Sequence, residues 1–342
     1  MPAGGVPRER KGSAMGDFRA DMAAASVYPL WERENRHNMP PEAPHVWRWA
    51  TMNPLIDGAV AATDMGNAER RVLVLRNPAF GNSERDGAAV NLSVNLQVLM
   101  PGEKARPHRH SMNALRFALE GDGATTVVEG KACVMLPGDM ILTPAWTWHE
   151  HAHEGRQRAV WVDALDVPLH SYLETGVFEP GPAHDLVPLP PDAAFAAAGL
   201  APDTAAAQKP YSPLFRYPWD LAAKALAALP AETDGSRRLR YTNPLTGGAI
   251  MATLDCYLLG LAPGMETVPY RTNSNCVCVV MAGEGQSRVG EDTIAWGPKD
   301  VFSLPHGQWI SHKATSGNPR LFQITDRELL RRLDILRDEI RH

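Results

Sequence analysis

Cysteine is scarce in this chain: Cys133, Cys256, Cys276 and Cys278 are the only four in 342 residues. So few cannot staple a protein of this length, and no pair has C-x-x-C spacing, so reduced, buried thiols are the expectation. Basic excess is absent as well. Lys and Arg total 34 against 39 Asp and Glu, a net charge of −5 with neutral histidine, which lacks the positive footprint of a nucleic-acid binder. No window approaches the roughly 18 consecutive apolar residues of a membrane span. Residues 1–20 are polar and mixed in charge, without the apolar centre of a secretory signal. Nucleic acid and membrane are therefore not expected partners, and the expected location is the cytoplasm. What is present is an ordinary globular composition, 44% hydrophobic and 21% charged, with length for about two domains.

Nine of the 29 prolines fall between Pro180 and Pro218, interleaved with an alanine-rich stretch. This composition marks a linker between two lobes. On either side, short β-like runs such as 124–128, 159–162 and 276–281 are separated by Gly, Pro and Asp turns, which predicts an all-β sandwich or barrel in each lobe. The lobes also resemble each other. Pro101-Gly102, Pro107 and Gly121-Asp122-Gly123 align with Pro263-Gly264, Pro269 and Gly283-Glu284-Gly285 at a shift of 162 residues, and Asp139, Pro144 and Trp148 align with Asp300, Pro305 and Trp309 at 161. One domain has been duplicated. Two helices are expected at the margins: 219–229, ended by Pro230, and a C-terminal helix. The latter opens on the capping box Thr325-x-x-Glu328 and carries Leu329, Leu333, Leu336 and Ile340 on one face.

Six of the twelve histidines lie between His108 and His170. His108 and His110, and again His149 and His151, have the i, i+2 spacing that points both side chains to one face of a strand. The series Gly102, His108, His110, Ala114, Gly121 matches the spacing of the first cupin motif, and Gly138, Pro144, His149 that of the second. Most cupins place a glutamate ligand where this chain has Ala114, so three neutral imidazoles and no carboxylate are expected at the metal. His153 and Trp146 stand where the second motif usually has Asn and Gly. Imidazole suits Fe, Zn, Cu and Ni alike, but three ligands leave open positions for a bidentate organic substrate and O2, unlike a closed structural zinc site.

Arg116 lies six residues after His110, an even separation that on one continuous strand turns its side chain into the barrel. A buried guanidinium needs an anion, and a planar fork suits a carboxylate. A small organic acid is the first candidate for that anion, an acidic residue of another strand the second. His151 is read as a hydrogen-bonding group or general base beside the metal. Trp146 and Trp148 are read as pocket walls, His153 and His170 as peripheral. In the second lobe the aligned ligand positions hold Tyr270, Thr272 and Ile310, with Cys278 in place of the arginine. That lobe is expected to have lost the metal.

At these residues the chain resembles the gentisate 1,2-dioxygenase family of bicupins, which includes salicylate, 5-nitrosalicylate and 1-hydroxy-2-naphthoate dioxygenases. The likeness runs from Trp31 through Glu69-Arg70-Arg71, His108-Arg109-His110-Ser111, Ala114-Leu115-Arg116-Phe117 and Thr143-Pro144-x-Trp146-x-Trp148-His149-x-His151. It continues in Phe215-Arg216-Tyr217-Pro218, Arg240-Tyr241-Thr242-Asn243-Pro244 and Trp296-Gly297-Pro298-x-Asp300. The resemblance implies an all-β bicupin, two double-stranded β-helix (jelly-roll) barrels with a few peripheral helices. The expected division is an N-terminal arm (1–60), a catalytic cupin (61–178), a linker (179–218) and a degenerate cupin with the terminal helix (219–342).

It further implies one Fe(II) per subunit on His108, His110 and His149, and cytoplasmic homotetramers. The substrate carboxylate would meet Arg116, with Arg71, Gln97 and His151 near the substrate and Asp163 supporting them. The activity implied is O2-dependent cleavage of gentisate between its carboxyl-bearing and hydroxyl-bearing carbons to give maleylpyruvate. The alternative is the same cleavage of 5-nitrosalicylate, salicylate or 1-hydroxy-2-naphthoate, since residues 77–95, read as a possible pocket lining, do not match standard gentisate enzymes closely. More remote is a non-redox cupin that binds a small organic acid.

Overall fold

Why a strand is buried on one face or on both decides where each layer of this protein sits. The computed structural model describes residues 10–28, 31, 42–66, 69–81, 87–197, 200, 202–203 and 209–341. It divides the chain into two units, residues 1–41 and 42–342. Among its described residues the first contains the helix α1 (Arg10–Ala24).

The second unit opens with β1 (His45–Trp47) and α2 (Trp49–Ala62), followed by the first barrel. Its strands are β2 (Val72–Leu75), β3 (Ser93–Leu99), β4 (Lys104–His110), β5 (Ala114–Glu120), β6 (Ala124–Val128), β7 (Lys131–Met135), β8 (Met140–Thr143), β9 (His149–His153) and β10 (Ala159–Leu165). Helix α3 (Val167–Leu173) and β11 (Phe178–Pro180) complete it. Two sheets face each other. One has the order β11-β4-β9-β6-β7; the other contains β8-β5-β10-β3-β2. Strands β3, β5 and β10 are buried on both faces, one face turning apolar residues such as Val94, Leu96, Phe117 and Val162 to the core shared with the second barrel and the other turning Ser93, Asn95, Gln97, Arg116 and Asp163 into the first barrel.

Then come β12 (Arg216–Tyr217) and α4 (Trp219–Ala228), followed by the second barrel. Its elements are β13 (Ser236–Arg240), β14 (Asp255–Leu261), β15 (Tyr270–Thr272), β16 (Cys276–Val289), β17 (Asp292–Trp296), β18 (Val301–Leu304), β19 (Trp309–Thr325), α5 (Arg327–Arg332) and β20 (Asp338–Ile340). The outward faces of the two barrels share one core, in which the Phe117 and Phe322 rings stack 3.9 Å apart at 4°.

The leading strands are exchanged. β1 precedes the first barrel but pairs with β18 of the second, and β12 precedes the second barrel but pairs with β8 of the first. The duplicated aspartates fix both crossings. Asp300 accepts from the Trp49 backbone N–H at 2.8 Å and from Arg48 at 3.0 Å; Asp139 accepts from the Trp219 N–H at 2.8 Å and from Arg216 at 2.9 Å. Each carboxylate thus anchors the first turn of the helix that enters from the other side.

Three expectations are corrected. The C-terminal helix is only six residues long. Thr325 remains in β19, Asp334 turns left-handed at φ 58°, and Ile340 pairs with Tyr270 as a strand. Buried Glu328, read as a capping residue, instead gathers Arg331, Arg332 and Arg240. The linker is stitched at both ends, since Phe178–Pro180 pairs with β4 and Arg216–Tyr217 with β8. Finally, His110 and Arg116 do not share a strand: the chain changes sheets at residues 111–113. Among the described residues, no helix is long and apolar enough to cross a membrane.

Candidate metal centre

Strand β4 would turn its histidines outward if its alternation were regular. Ala105 faces His151 and His108 faces His149, so three residues of β4 span two of β9. The extra residue lies at Arg106-Pro107, where proline has no N–H to give to the ladder, and this bulge brings His108 and His110 onto the inward face. Strand β9 alternates regularly, so His149 and His151 point the same way.

The three ring pairs formed by His108, His110 and His149 have centroids 4.0 to 5.5 Å apart, and one ligand atom from each lies within 4.8 Å of the others. Every Nδ1 donates to a backbone carbonyl: His108 to Arg106 at 3.2 Å, His110 to Met112 at 2.9 Å, and His149 to Thr147 at 2.9 Å. With the proton fixed on Nδ1, the Nε2 lone pair is free. The Nε2 atoms of His108 and His149 are buried without a partner. Burial and the nearby arginines lower His108 to about 2 and His110 to about 4, and push His149 well below its ordinary value. The rings are therefore neutral at physiological pH, as metal ligands must be. Ala114, fully buried at the start of β5, adds no carboxylate. This donor set fits a divalent transition metal with open coordination positions.

The opposite sheet supplies the charge. Arg116 on β5, Asp163 on β10 and Asn95 on β3 are neighbours across the strands. Arg116 and Asp163 form an ion pair, Nε to Oδ1 3.0 Å, and the same carboxylate oxygen accepts a hydrogen bond from Trp161 Nε1 at 3.0 Å. The acidic residue of another strand, rather than a ligand alone, therefore faces this guanidinium. Arg116 Nη1 remains buried and unpartnered, and desolvation lowers Arg116 to about 10 and raises Asp163. Gln97, two residues beyond Asn95 on the same face, is buried with its amide nitrogen unpartnered. His151 stands 6.2 Å from His149, ring to ring; its Nδ1 is 2.8 Å from Thr126 Oγ1 and its Nε2 is unpartnered.

Three residues expected at the site lie elsewhere. Arg71 is committed to Glu103, donating at 2.8 and 3.0 Å to its two oxygens, and to the Thr63 carbonyl at 2.7 Å. Its neighbour Arg70 takes the inward position. Arg70 is largely buried; its Nη2 pairs with the more exposed Glu69 at 3.1 Å, its Nε lacks a partner, and its charge acts on His108, His110, His151 and Asp163. Trp146 and Trp148 do not wall the metal pocket but flank Arg109, 5.4 and 4.7 Å from its guanidinium on the outer side of β4. Of residues 77–95, Ser93 and Asn95 lie on the inward face, whereas Asn77 bonds to Ala43, Ala88 and Ser303; positions 82–86 are outside the described residues.

Phe178 belongs to the site and carried no motif. Its ring stacks on His108 at 5.3 Å and lies 5.8 Å from the Arg70 guanidinium. Arg70 was legible only with the register in hand: Val72 pairs with Gln97, so residue 70 shares the inward face and residue 71 does not.

Residues 95–167 match the cupin domain family. A gentisate 1,2-dioxygenase of Aquipseudomonas alcaligenes is 32% identical over 345 residues, covering 97% of each chain. A 5-aminosalicylate 1,2-dioxygenase of Comamonas is 35% identical, covering 93% of this chain and 88% of that protein. Among solved structures, the salicylate 1,2-dioxygenase of Pseudaminobacter salicylatoxidans superposes with a TM-score of 0.87 at 29% identity, covering 99% of both chains.

Proposed function

The chain belongs to the gentisate 1,2-dioxygenase family of ring-cleaving bicupins, and on that premise we propose that it holds one Fe(II) on His108, His110 and His149 and opens gentisate to maleylpyruvate. O2 is the co-substrate and cleavage falls between the carboxyl-bearing and hydroxyl-bearing ring carbons. Carrying the reading is one observation: three neutral imidazoles converge beside two inward guanidiniums, Arg116 and Arg70, with a single buried carboxylate, Asp163, among them. A substrate carboxylate supplies the missing negative charge.

Bound there, iron supplies the redox chemistry with O2. The rest falls to the chain. Arg116 and Arg70 draw the aromatic acid in and set its carboxylate, Gln97 offers an amide to a ring substituent, and Phe178 and Trp161 keep water from the ring's edges. His151, with an unpartnered Nε2, is placed to hold or accept the proton of the substrate hydroxyl. We further place the enzyme in the cytoplasm as a homotetramer, with the catalytic cupin within residues 61–178.

A second reading keeps the chemistry and changes the ring. The 5-aminosalicylate and salicylate enzymes are about as similar to this chain as the gentisate enzymes are, so a salicylate with another or no 5-substituent is the alternative. The two are separated by O2 uptake of anaerobically Fe(II)-loaded protein offered gentisate, salicylate, 5-nitrosalicylate and 1-hydroxy-2-naphthoate, with products read by mass spectrometry. Uptake with gentisate alone supports the first reading, and preference for a ring lacking the 5-hydroxyl supports the second. Iron bound without uptake on any of the four overturns the substrate class. His110→Ala is expected to lose iron and activity together; iron retained at full occupancy removes it from the ligand set.

A further inference from the structure

The second barrel keeps a polar interior where a merely structural copy would have filled with apolar side chains. Two adjoining cavities of about 230 and 160 Å³ share Arg238, Tyr270, Gln323 and Ile340 as walls. They occupy the place that the histidine cluster holds in the first barrel, where Tyr270 and Thr272 replace His108 and His110. The ligands are gone, but the floor is not. Thr126 and His151 recur 161 residues later as Ser287 and His312, with Ser287 Oγ 2.7 Å from His312 Nδ1.

That floor presents a donor and an acceptor. Trp296 Nε1 donates to Ser287 Oγ at 2.9 Å, and among the described residues His312 Nδ1 is the one acceptor that this fully buried hydroxyl meets, so the serine gives its proton to Nδ1. The proton of the neutral imidazole then sits on Nε2, which is buried and unpartnered in the wall of the larger cavity. Burial keeps the ring neutral, lowering it to about 4. Beside it, buried Gln323 lends its amide nitrogen to Cys278 Sγ at 4.0 Å and leaves its carbonyl oxygen without a partner. Arg238 lies across the Tyr257 ring, 3.8 Å from its centroid, and makes no ion pair among the described residues. The nearby carboxylates are engaged: Asp234 accepts from the Ser236 and Val268 N–H groups, and Asp338 pairs with Arg327. Leu259, Val268 and Ile340 give the larger cavity apolar sides.

We propose that the second barrel is a binding site for a small hydroxy-carboxylate, its carboxylate held by Arg238 and His312 Nε2–H and its hydroxyl donating to the Gln323 carbonyl. The volume suits a single small ring or a short chain. It is a site separate from the metal centre, and it stands whichever ring the first barrel cleaves.

Anaerobic equilibrium dialysis of the iron-loaded full chain against radiolabelled salicylate tests it. Two equivalents per chain are expected, of which Arg116→Ala weakens one and Arg238→Ala weakens the other at least about tenfold. Arg238 is exposed, so its truncation leaves the barrel intact; Gln323→Leu is expected to affect the same equivalent. Benzoate, which has no hydroxyl, is expected to fill the second site more weakly than salicylate. A single equivalent that follows Arg116 alone means that the cavity holds only solvent and overturns the proposal, as does a second equivalent untouched by both Arg238→Ala and Gln323→Leu. Equal affinity for benzoate overturns the part assigned to Gln323.

Discussion

Adjacent arginines just ahead of the edge strand β2 do opposite work. Arg71 closes a two-pronged pair with Glu103 and holds the end of α2 through Thr63, while Arg70 turns toward the imidazoles. Arg71→Ala is therefore expected to lower stability by about 2–4 kcal/mol, since it strands a carboxylate. Arg70→Ala is expected to leave the unfolding midpoint nearly unchanged and raise KM for the aromatic acid by tenfold or more. Urea titrations and steady-state kinetics on both variants separate the roles, and a KM change in Arg71→Ala alone reverses the assignment. The buried histidines also fix a pH dependence. His108, His110, His149, His151 and His312 all have folded-state values below the ordinary 6.5, so as pH falls through 6.5 the unfolded chain takes up protons first. Metal-free protein is expected to lose stability on acidification, by up to about 1.4 kcal/mol per histidine for each pH unit below 6.5. Unfolding midpoints equal at pH 7.5 and 5.5 contradict it.

The elements that matter most are short. A bulge of one residue in β4 sets the phase of His108 and His110, and the crossings β1–β18 and β12–β8 tie each barrel to the other's leading segment. Asp139 and Asp300 hold those crossings from equivalent positions. Asp139→Ala and Asp300→Ala are each expected to cost about 1–3 kcal/mol, read as a lower urea midpoint, because each strips the first turn of a helix of its acceptor and leaves an arginine unpaired. If neither shifts the midpoint, the crossings are held by strand pairing alone. At this scale the sequence was informative about β6, β10 and α4 and misleading about the C-terminus. There the 3.6-residue spacing of Leu329, Leu333, Leu336 and Ile340 lost to the pairing of Ile340 with Tyr270. A helix pattern is a local preference, and an open sheet edge can outbid it.

For the whole molecule, the shared core between the barrels makes unfolding of one half costly to the other. Phe117→Ala is expected to destabilise the protein by about 3–5 kcal/mol and to lower the midpoint of both barrels together, since its ring rests on Phe322 of the second. Two separated transitions, followed by tryptophans of each half, show instead that the barrels unfold independently. The sequence by itself determined the duplication, the all-β architecture and the three histidines, because turns, alternation and i, i+2 spacing are written in neighbouring residues. Only the tertiary structure decided that Arg70 rather than Arg71 faces the metal centre, that Asp163 meets Arg116, that Phe178 covers His108 and that the leading strands are exchanged. Each of these depends on the register and stacking of strands distant in the chain. Register is fixed by the burial of whole sheets, and no local spacing encodes it.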